Sequence, residues 1–300
     1  MTIRAAQPGG LEGRRVYFAS DLHIDVRRGR AAAEELADWL SERARPDDIL
    51  LLGGDYGNDE ETRRGCLELF ADFPGVRLGI AGNHDVWGEP GDSAWPRYRR
   101  LADLLEAHGI HPLEREPYVD GQVGFVGAMG WYDYSFRVPE LDVPMEVYRR
   151  KGMPGVEGPV WNDGQYVDWR MSDPEVTDRQ LEQLAGQLEQ LSGVGTIVPA
   201  LHHVPTEGLL RPAMLPDFVP RRLIVPRKWL ILNTYLGSRR FGELFAEYAE
   251  RIEVAFCGHI HLRRGVVEDG ITYVRSGSDH TTKEVIVWES PRLWRKTFRG

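Results

Sequence analysis

Cysteine is scarce: Cys66 and Cys257 are the only two in 300 residues, and they stand far apart. No disulfide framework is suggested, and a reducing, cytoplasmic setting fits that usage. No apolar run approaches the roughly 20 residues that a membrane-spanning helix needs, so membrane insertion is not expected. Basic charge is also lacking. Lys and Arg number 37 against 46 Asp and Glu, a net charge of −9, which argues against a nucleic-acid polymer as partner, because phosphate contacts need clustered cations. Residues 1–13 lack the basic and then apolar segments of a secretory signal and read as a short flexible leader. There is no internal repeat and no low-complexity tract. What remains, 42% apolar and 28% charged, is the composition of a globular protein with a substantial core. Residues 14–300 read as one domain, with cap-like insertions near 130–175 and 205–240.

Short apolar runs organise that domain. Val16 to Ala19 leads into Asp21-Leu22-His23, and Ile49 to Leu52 into Gly53-Gly54-Asp55. Val76 to Ala81 leads into Gly82-Asn83-His84-Asp85, Thr196 to Leu201 into His202-His203, and Val254 to Cys257 into Gly258-His259-Ile260-His261. Each reads as a buried strand that delivers polar groups where it ends, the edge at which open α/β sheets place their chemistry. Helices are expected over Ala31 to Arg43 after a break at Gly29, Glu60 to Phe73, Ala94 to His108, Thr177 to Leu191 and Gly242 to Arg251. The fourth is capped by Thr177 or by Ser172 and Asp173. A hairpin turns at Asp120-Gly121, and Gly265 to Arg275 and Lys283 to Trp288 alternate like closing strands. The aromatics scattered from Trp131 to Trp169 suggest an irregular cap over the sheet ends. Arg221, Arg222, Arg227, Lys228, Arg239 and Arg240 form a basic stretch that could hold a phosphate but reads first as a solvated face.

Asp, Asn and His at five strand ends are ligand types for a metal rather than core residues. On an extended chain, residues two apart share a side, so Asp21 with His23, and His259 with His261, can each meet one ion. Two carboxylates, an amide and four imidazoles exceed one tetrahedral shell but suit two divalent ions sharing a bridge. The imidazole content favours Mn, Fe, Zn, Co or Ni over Mg or Ca, with Mn the first expectation. Of His202 and His203 only one should face the metals, since adjacent side chains diverge after a strand. His108, His111 and His280 are read as ordinary hydrogen-bonded residues.

These blocks, in this order and with Asn58 three residues after Asp55, resemble the calcineurin-like metallophosphoesterase superfamily over residues 15 to 280. The resemblance implies a four-layer α-β-β-α sandwich with two mixed β-sheets. It also implies that Asp21, His23, Asp55 and His261 hold one ion and Asp55, Asn83, His202 and His259 the other, with Asp55 bridging. In that pattern His84 is not a ligand but assists at the scissile oxygen, and a water held between the ions attacks a phosphomonoester or phosphodiester in line. Phosphatase members often carry Asp where this chain has Asn58. An Asp would favour an imidazolium at His84, whereas Asn58 holds the ring without that charge, so diesters and esters with good leaving groups gain weight. Asp59 or Asp85 could stand in for the missing carboxylate. The substrate is expected to be a small phosphate ester. Alternatives are a nuclease or cyclic-nucleotide phosphodiesterase and, in another class, a non-catalytic metal-dependent binding protein.

Overall fold

The computed structural model describes residues 13–210 and 226–300. All of the expected leader but Gly13, and part of the second insertion with Arg221 and Arg222, lie outside the described residues. Two six-stranded mixed sheets face each other. The first takes β1 (Val16–Ala19), β2 (Ile49–Leu52), β3 (Val76–Gly79) and β4 (His111–Pro112) in parallel, and β11 (Thr282–Glu289) and β12 (Arg292–Arg299) in antiparallel, in the order β12-β11-β1-β2-β3-β4. In the second, β6 (Val123–Ala128), β7 (Thr196–Leu201), β8 (Val254–Cys257) and β10 (Ile271–Arg275) are parallel. Its edges are antiparallel, formed by β5 (Tyr118–Asp120) and β9 (Arg264–Glu268).

Period-two alternation sorts the side chains into layers. Val16 and Phe18 of β1 point between the sheets with Ile49, Leu51, Val198 and Phe256, and Phe18 stacks on Phe256 at 5.1 Å. Tyr17 and Ala19 point the other way, into α1 (Arg27–Arg43), α2 (Glu60–Leu69) and α3 (Ala94–Ala107). Two short helices, α4 (Met145–Arg149) and α5 (Asp163–Tyr166), punctuate the aromatic insertion. The outer face of the second sheet is covered by α6 (Asp173–Gln190) and α8 (Arg239–Ala246), the latter following α7 (Arg227–Leu232). Helix, sheet, sheet, helix is the four-layer order expected. Trp131, Tyr132, Tyr134, Tyr148 and Trp169 are buried in the same cluster as Tyr17, Leu36, Leu67 and Leu105, so the insertion is part of the core on the helical side of the first sheet.

Several boundaries differ from the sequence reading. Gly29 does not break α1; it lies inside it, where a Cβ would come within 2.7 Å of His23 O and 2.8 Å of His280 O, so glycine there serves close approach to the strand ends. Helix α6 starts at Asp173 behind a Ser172/Glu175 capping box, not at Thr177. Helix α8 begins three residues before Gly242, at Arg239, capped by Ser238. The closing segment is four strands: Gly265 to Arg275 is itself a hairpin, and β12 was not foreseen because its outward face is charged. In the basic stretch, Arg227 bonds Leu141 O, Arg239 bonds Ser135 O, and Arg240 pairs with Asp178.

Candidate metal centre

The C-terminal ends of β1, β2, β3, β7 and β8 converge, and the loops leaving them are tied to one another by backbone hydrogen bonds. Asp21 N donates to Gly54 O at 3.0 Å, His23 N to Asp55 O at 2.9 Å, and Gly258 N to His202 O at 3.0 Å. Asp21 and His23 do not share a side because the chain is extended, as the spacing had suggested. Their φ values are 57° and 38°, and Asp55, His259 and His261 stand at 58°, 72° and 58°. Five of the candidate donors thus sit in the left-handed region, which costs on the order of 1–3 kcal/mol per non-glycine residue and clusters at functional sites. Glycine makes the crossing possible. Gly54 has φ 86°, and a Cβ on Gly82 would fall 2.2 Å from Asp55 Oδ1.

The donor atoms form two adjoining sets. In one, His23 Nε2 lies 3.3 Å from His261 Nε2 and 3.5 Å from Asp55 Oδ2, with His261 Nε2 3.4 Å from Asp21 Oδ1. In the other, His202 Nε2 lies 3.2 Å from Asp55 Oδ2 and 3.1 Å from Asn83 Oδ1, which is 3.1 Å from His259 Nδ1. Atoms about 2.1 Å from a shared ion are separated by roughly 3.0 Å in an octahedron and 3.4 Å in a tetrahedron. Both sets therefore have the edges of a coordination shell, and Asp55 Oδ2 belongs to both.

The chemistry of the donors also fits a cation. His202 Nδ1 donates to Gly53 O at 2.8 Å, so in the neutral ring Nε2 presents a lone pair to the oxygens of Asp55 and Asn83. Asn83 Nδ2 donates to Asp163 Oδ1 at 2.9 Å, which turns Oδ1 inward. Converging lone pairs need either protons or a metal ion between them. The charge pattern agrees. Burial lowers the His202 imidazole's affinity for a proton, but the Asp55 carboxylate overrides it and raises the pKa to about 10. Burial would raise Asp21, yet the His261 hydrogen bond and the charges of His261 and His202 hold it at about 2. Asp55 is likewise driven well below the ordinary carboxylate range by His202, His84 and His23, against its burial.

The remaining candidates occupy distinct places. His84 N donates to Asp55 Oδ1 at 2.9 Å, its ring stands 4.7 Å from that of His23 and stacks on Trp87 at 3.6 Å, and its Nδ1 lies 3.0 Å from Asn58 Oδ1. The Asn58 amide group donates to Asp25 Oδ2 at 3.0 Å, so its carbonyl must face His84 and the proton resides on Nδ1. Neither Asp59 nor Asp85 replaces a carboxylate at that ring. Asp59 caps α2 through Thr62 N. Asp85 is buried and accepts from Asp55 N, Tyr56 N and Gly82 N at 2.8, 3.0 and 2.8 Å, which locks the two glycine-rich turns together. Burial and the neighbouring Asp55 charge push its carboxyl up to about 7. His203 turns away from the carboxylates and bonds Met129 O at 3.0 Å. His280, read as ordinary, stands with its ring 4.5 Å from His23 and 5.1 Å from His261, at the rim of the centre.

Two supporting residues had no signal in sequence. Lys283 is buried in β11 and donates to Asp21 O at 3.0 Å; its burial lowers the ammonium to about 8. Asp163 of α5 is wholly buried and accepts from Asn83 Nδ2, Trp87 Nε1 at 2.8 Å, Trp161 Nε1 at 2.9 Å and Tyr132 OH at 3.3 Å. It holds both the Asn83 amide and the indole beneath His84. Asp163→Asn places an N–H against those donors and frees Asn83 to rotate. Metal affinity, measured by chelator competition, is expected to fall about 10- to 100-fold with the fold retained. An unchanged affinity would mean that Asn83 needs no such anchor.

A four-layer sandwich whose two sheets direct carboxylate, amide and imidazole donors to one edge has the makings of a metal centre. The sequence profile of the calcineurin-like phosphoesterases matches residues 14–263, and the chain belongs to that family. Its members depend on a pair of metal ions, and the protein is a hydrolase acting on phosphoric ester bonds. Among solved structures, the phosphopantetheinyl hydrolase of Mycobacterium tuberculosis is similar at a TM-score of 0.69 and 20% identity, with 89% of each chain covered. A putative 5'-nucleotidase from Staphylococcus aureus is similar at a TM-score of 0.50 and 12% identity over 95% of this chain and 53% of its own. The chain thus spans about half the length of that second protein. No curated protein matches it in sequence. Among the described residues, no helix is long and apolar enough to cross a membrane.

Proposed function

We propose that Asp21, His23, Asp55 and His261 hold one divalent ion, that Asp55, Asn83, His202 and His259 hold a second, and that the reaction is hydrolysis of a small phosphomonoester or phosphodiester by in-line attack of water. The observation that carries this reading is the position of Asp55 Oδ2, 3.2 Å from His202 Nε2 and 3.5 Å from His23 Nε2, where one carboxylate serves both sets. When bound, two such ions supply neutralisation of phosphoryl charge and a water acidified toward neutral pH. The protein's own part is orientation. Asp163 fixes the Asn83 carbonyl, Gly53 O fixes the His202 tautomer, and Asp85 fixes the turns that carry Asp55 and Asn83.

His84 faces the open cleft beside these donors and acts at the leaving-group oxygen. With Asn58 holding the proton on Nδ1, Nε2 can donate only from the doubly protonated ring. Asn58 is neutral and Asp25 lies one hydrogen bond further back, so no carboxylate bonds Nδ1, and the Asp55 carboxylate, within 4.8 Å of a ring nitrogen, is shared with the proposed ions. The arrangement suits diesters and esters whose alcohol departs without full protonation. Manganese is the ion proposed first. The two buried free cysteines accord with a cytoplasmic site of action, and residues 14–300 are read as one catalytic domain.

The test is turnover of p-nitrophenyl phosphate and bis-p-nitrophenyl phosphate by the full-length chain loaded with Mn. Hydrolysis is expected with both, the diester having the higher kcat/KM; absence of turnover on either by protein shown to carry two ions would defeat the enzymatic reading.

A further inference from the structure

The cleft that reaches Asp55, Asn83, His84, His259 and His261 has a volume of about 860 Å³ and does not stop at the polar centre. The same space is lined by Trp161 from the first insertion, by Trp229, Leu232 and Leu236 from α7 and the turn after it, and by Ile260 and Leu262 of the loop that carries the two histidines. Trp229 is 49% exposed and Leu262 66% exposed. Large apolar side chains left in water inside a concavity next to a reactive centre mark a place where a ligand's apolar part is buried.

The charged residues of the cleft do not offer an alternative. Arg263 lies 3.0 Å from Glu284 Oε2 and bonds Thr297 Oγ1 at 3.2 Å, and Arg275 donates to the carbonyls of Leu262 and Leu209. The Asp163 carboxylate already accepts from four donors. Asn162 and Asn233 contribute two amides, fewer polar partners than the hydroxyls and ring nitrogens of a nucleoside would require. Burying those groups against Trp229 and Leu262 without partners is unfavourable, whereas methylenes gain.

We propose that this cleft binds the organic group of the substrate, and that this group is a long apolar chain or ring system rather than a sugar or nucleoside. The proposal rests on the phosphoesterase reading of the metal centre and names the class of ester it takes.

Calorimetric titration of the Mn-loaded full-length chain with ethyl-, butyl-, hexyl- and octylphosphonate tests this without requiring turnover. A fully buried methylene is worth about fourfold in Kd, and a half-buried one about twofold, so six methylenes amount to roughly 60-fold. The expected result is at least tenfold tighter binding of octyl- than of ethylphosphonate. That ratio should shrink severalfold in Trp229→Ser and in Leu262→Ser but not in Val119→Ser, a change at an exposed residue outside the cleft. Adenosine 5'-monophosphate is expected to bind more weakly than octylphosphonate. A ratio below tenfold, a ratio unmoved by the cleft substitutions, or tighter binding of the nucleotide would each overturn the proposal. Failure of nitrophenyl ester hydrolysis, by contrast, would remove the enzymatic reading while the titration still decides what the cleft binds.

Discussion

Asp55→Asn is expected to lower kcat by about 10³-fold or more and to leave the protein with at most one tightly held metal ion. The substitution keeps the shape of the side chain and changes only its charge and one oxygen. Asp55 Oδ1 accepts from His84 N at 2.9 Å, while Oδ2 stands between His202 Nε2 and His23 Nε2. An amide retains one acceptor, and its nitrogen has no lone pair for a cation, so whichever way it turns, one of the two contacts is lost. The anionic charge shared by the two proposed ions disappears with it, which leaves their mutual repulsion less compensated. Metal content after dialysis, measured by elemental analysis beside steady-state rates, checks both halves of the expectation. A variant that keeps two ions and more than a tenth of the activity would show that Asp55 is not the shared donor.

Removing His84 should act on rate and spare the metals. One of its ring nitrogens comes within 4.8 Å of donor atoms of His23 and Asp55, but each proposed ion keeps four other protein donors; its backbone N–H, which contacts Asp55 Oδ1, survives in His84→Ala. The expected result is two retained ions and a kcat reduced by about 10²- to 10⁴-fold, the range for loss of a positioned proton donor or acceptor. The drop should be smaller for nitrophenyl esters than for alkyl esters, because nitrophenolate leaves with little help. Loss of metal on this substitution, or equal losses for good and poor leaving groups, would show that the imidazole does something other than assist departure. Trp87, stacked on the ring at 3.6 Å and tied to Asp163, keeps a wall in place beside the vacated position.

Much of the architecture could be read from strand-length apolar runs that end in glycine and then in Asp, Asn or His. Those runs fold as β1, β2, β3, β7 and β8, and their ends meet. The route by which Asp21 and His23 come together was not legible. Alternation supposes an extended chain, and the structure instead bends both residues into positive φ, held there by hydrogen bonds to the Asp55 turn. A local rule had the right outcome for the wrong local geometry, because the strain is sustained by neighbours distant in sequence. The place of His280 is hidden for a similar reason: nothing beside it in the chain hints at the site, and only the return of β11 alongside β1 sets its ring by His23.

Donor types, their order along the chain and the alternation that sorts layers are local properties, and the sequence by itself determined them for this protein. Tertiary structure alone decided which oxygen stands between the two imidazole sets, that a carboxylate 80 residues from Asn83 holds its amide, and that tryptophan and leucine continue the cleft beyond the metals. These depend on contacts between segments far apart in the chain, and a side chain's partner across a sheet end is fixed by register and packing, which no spacing of residues encodes.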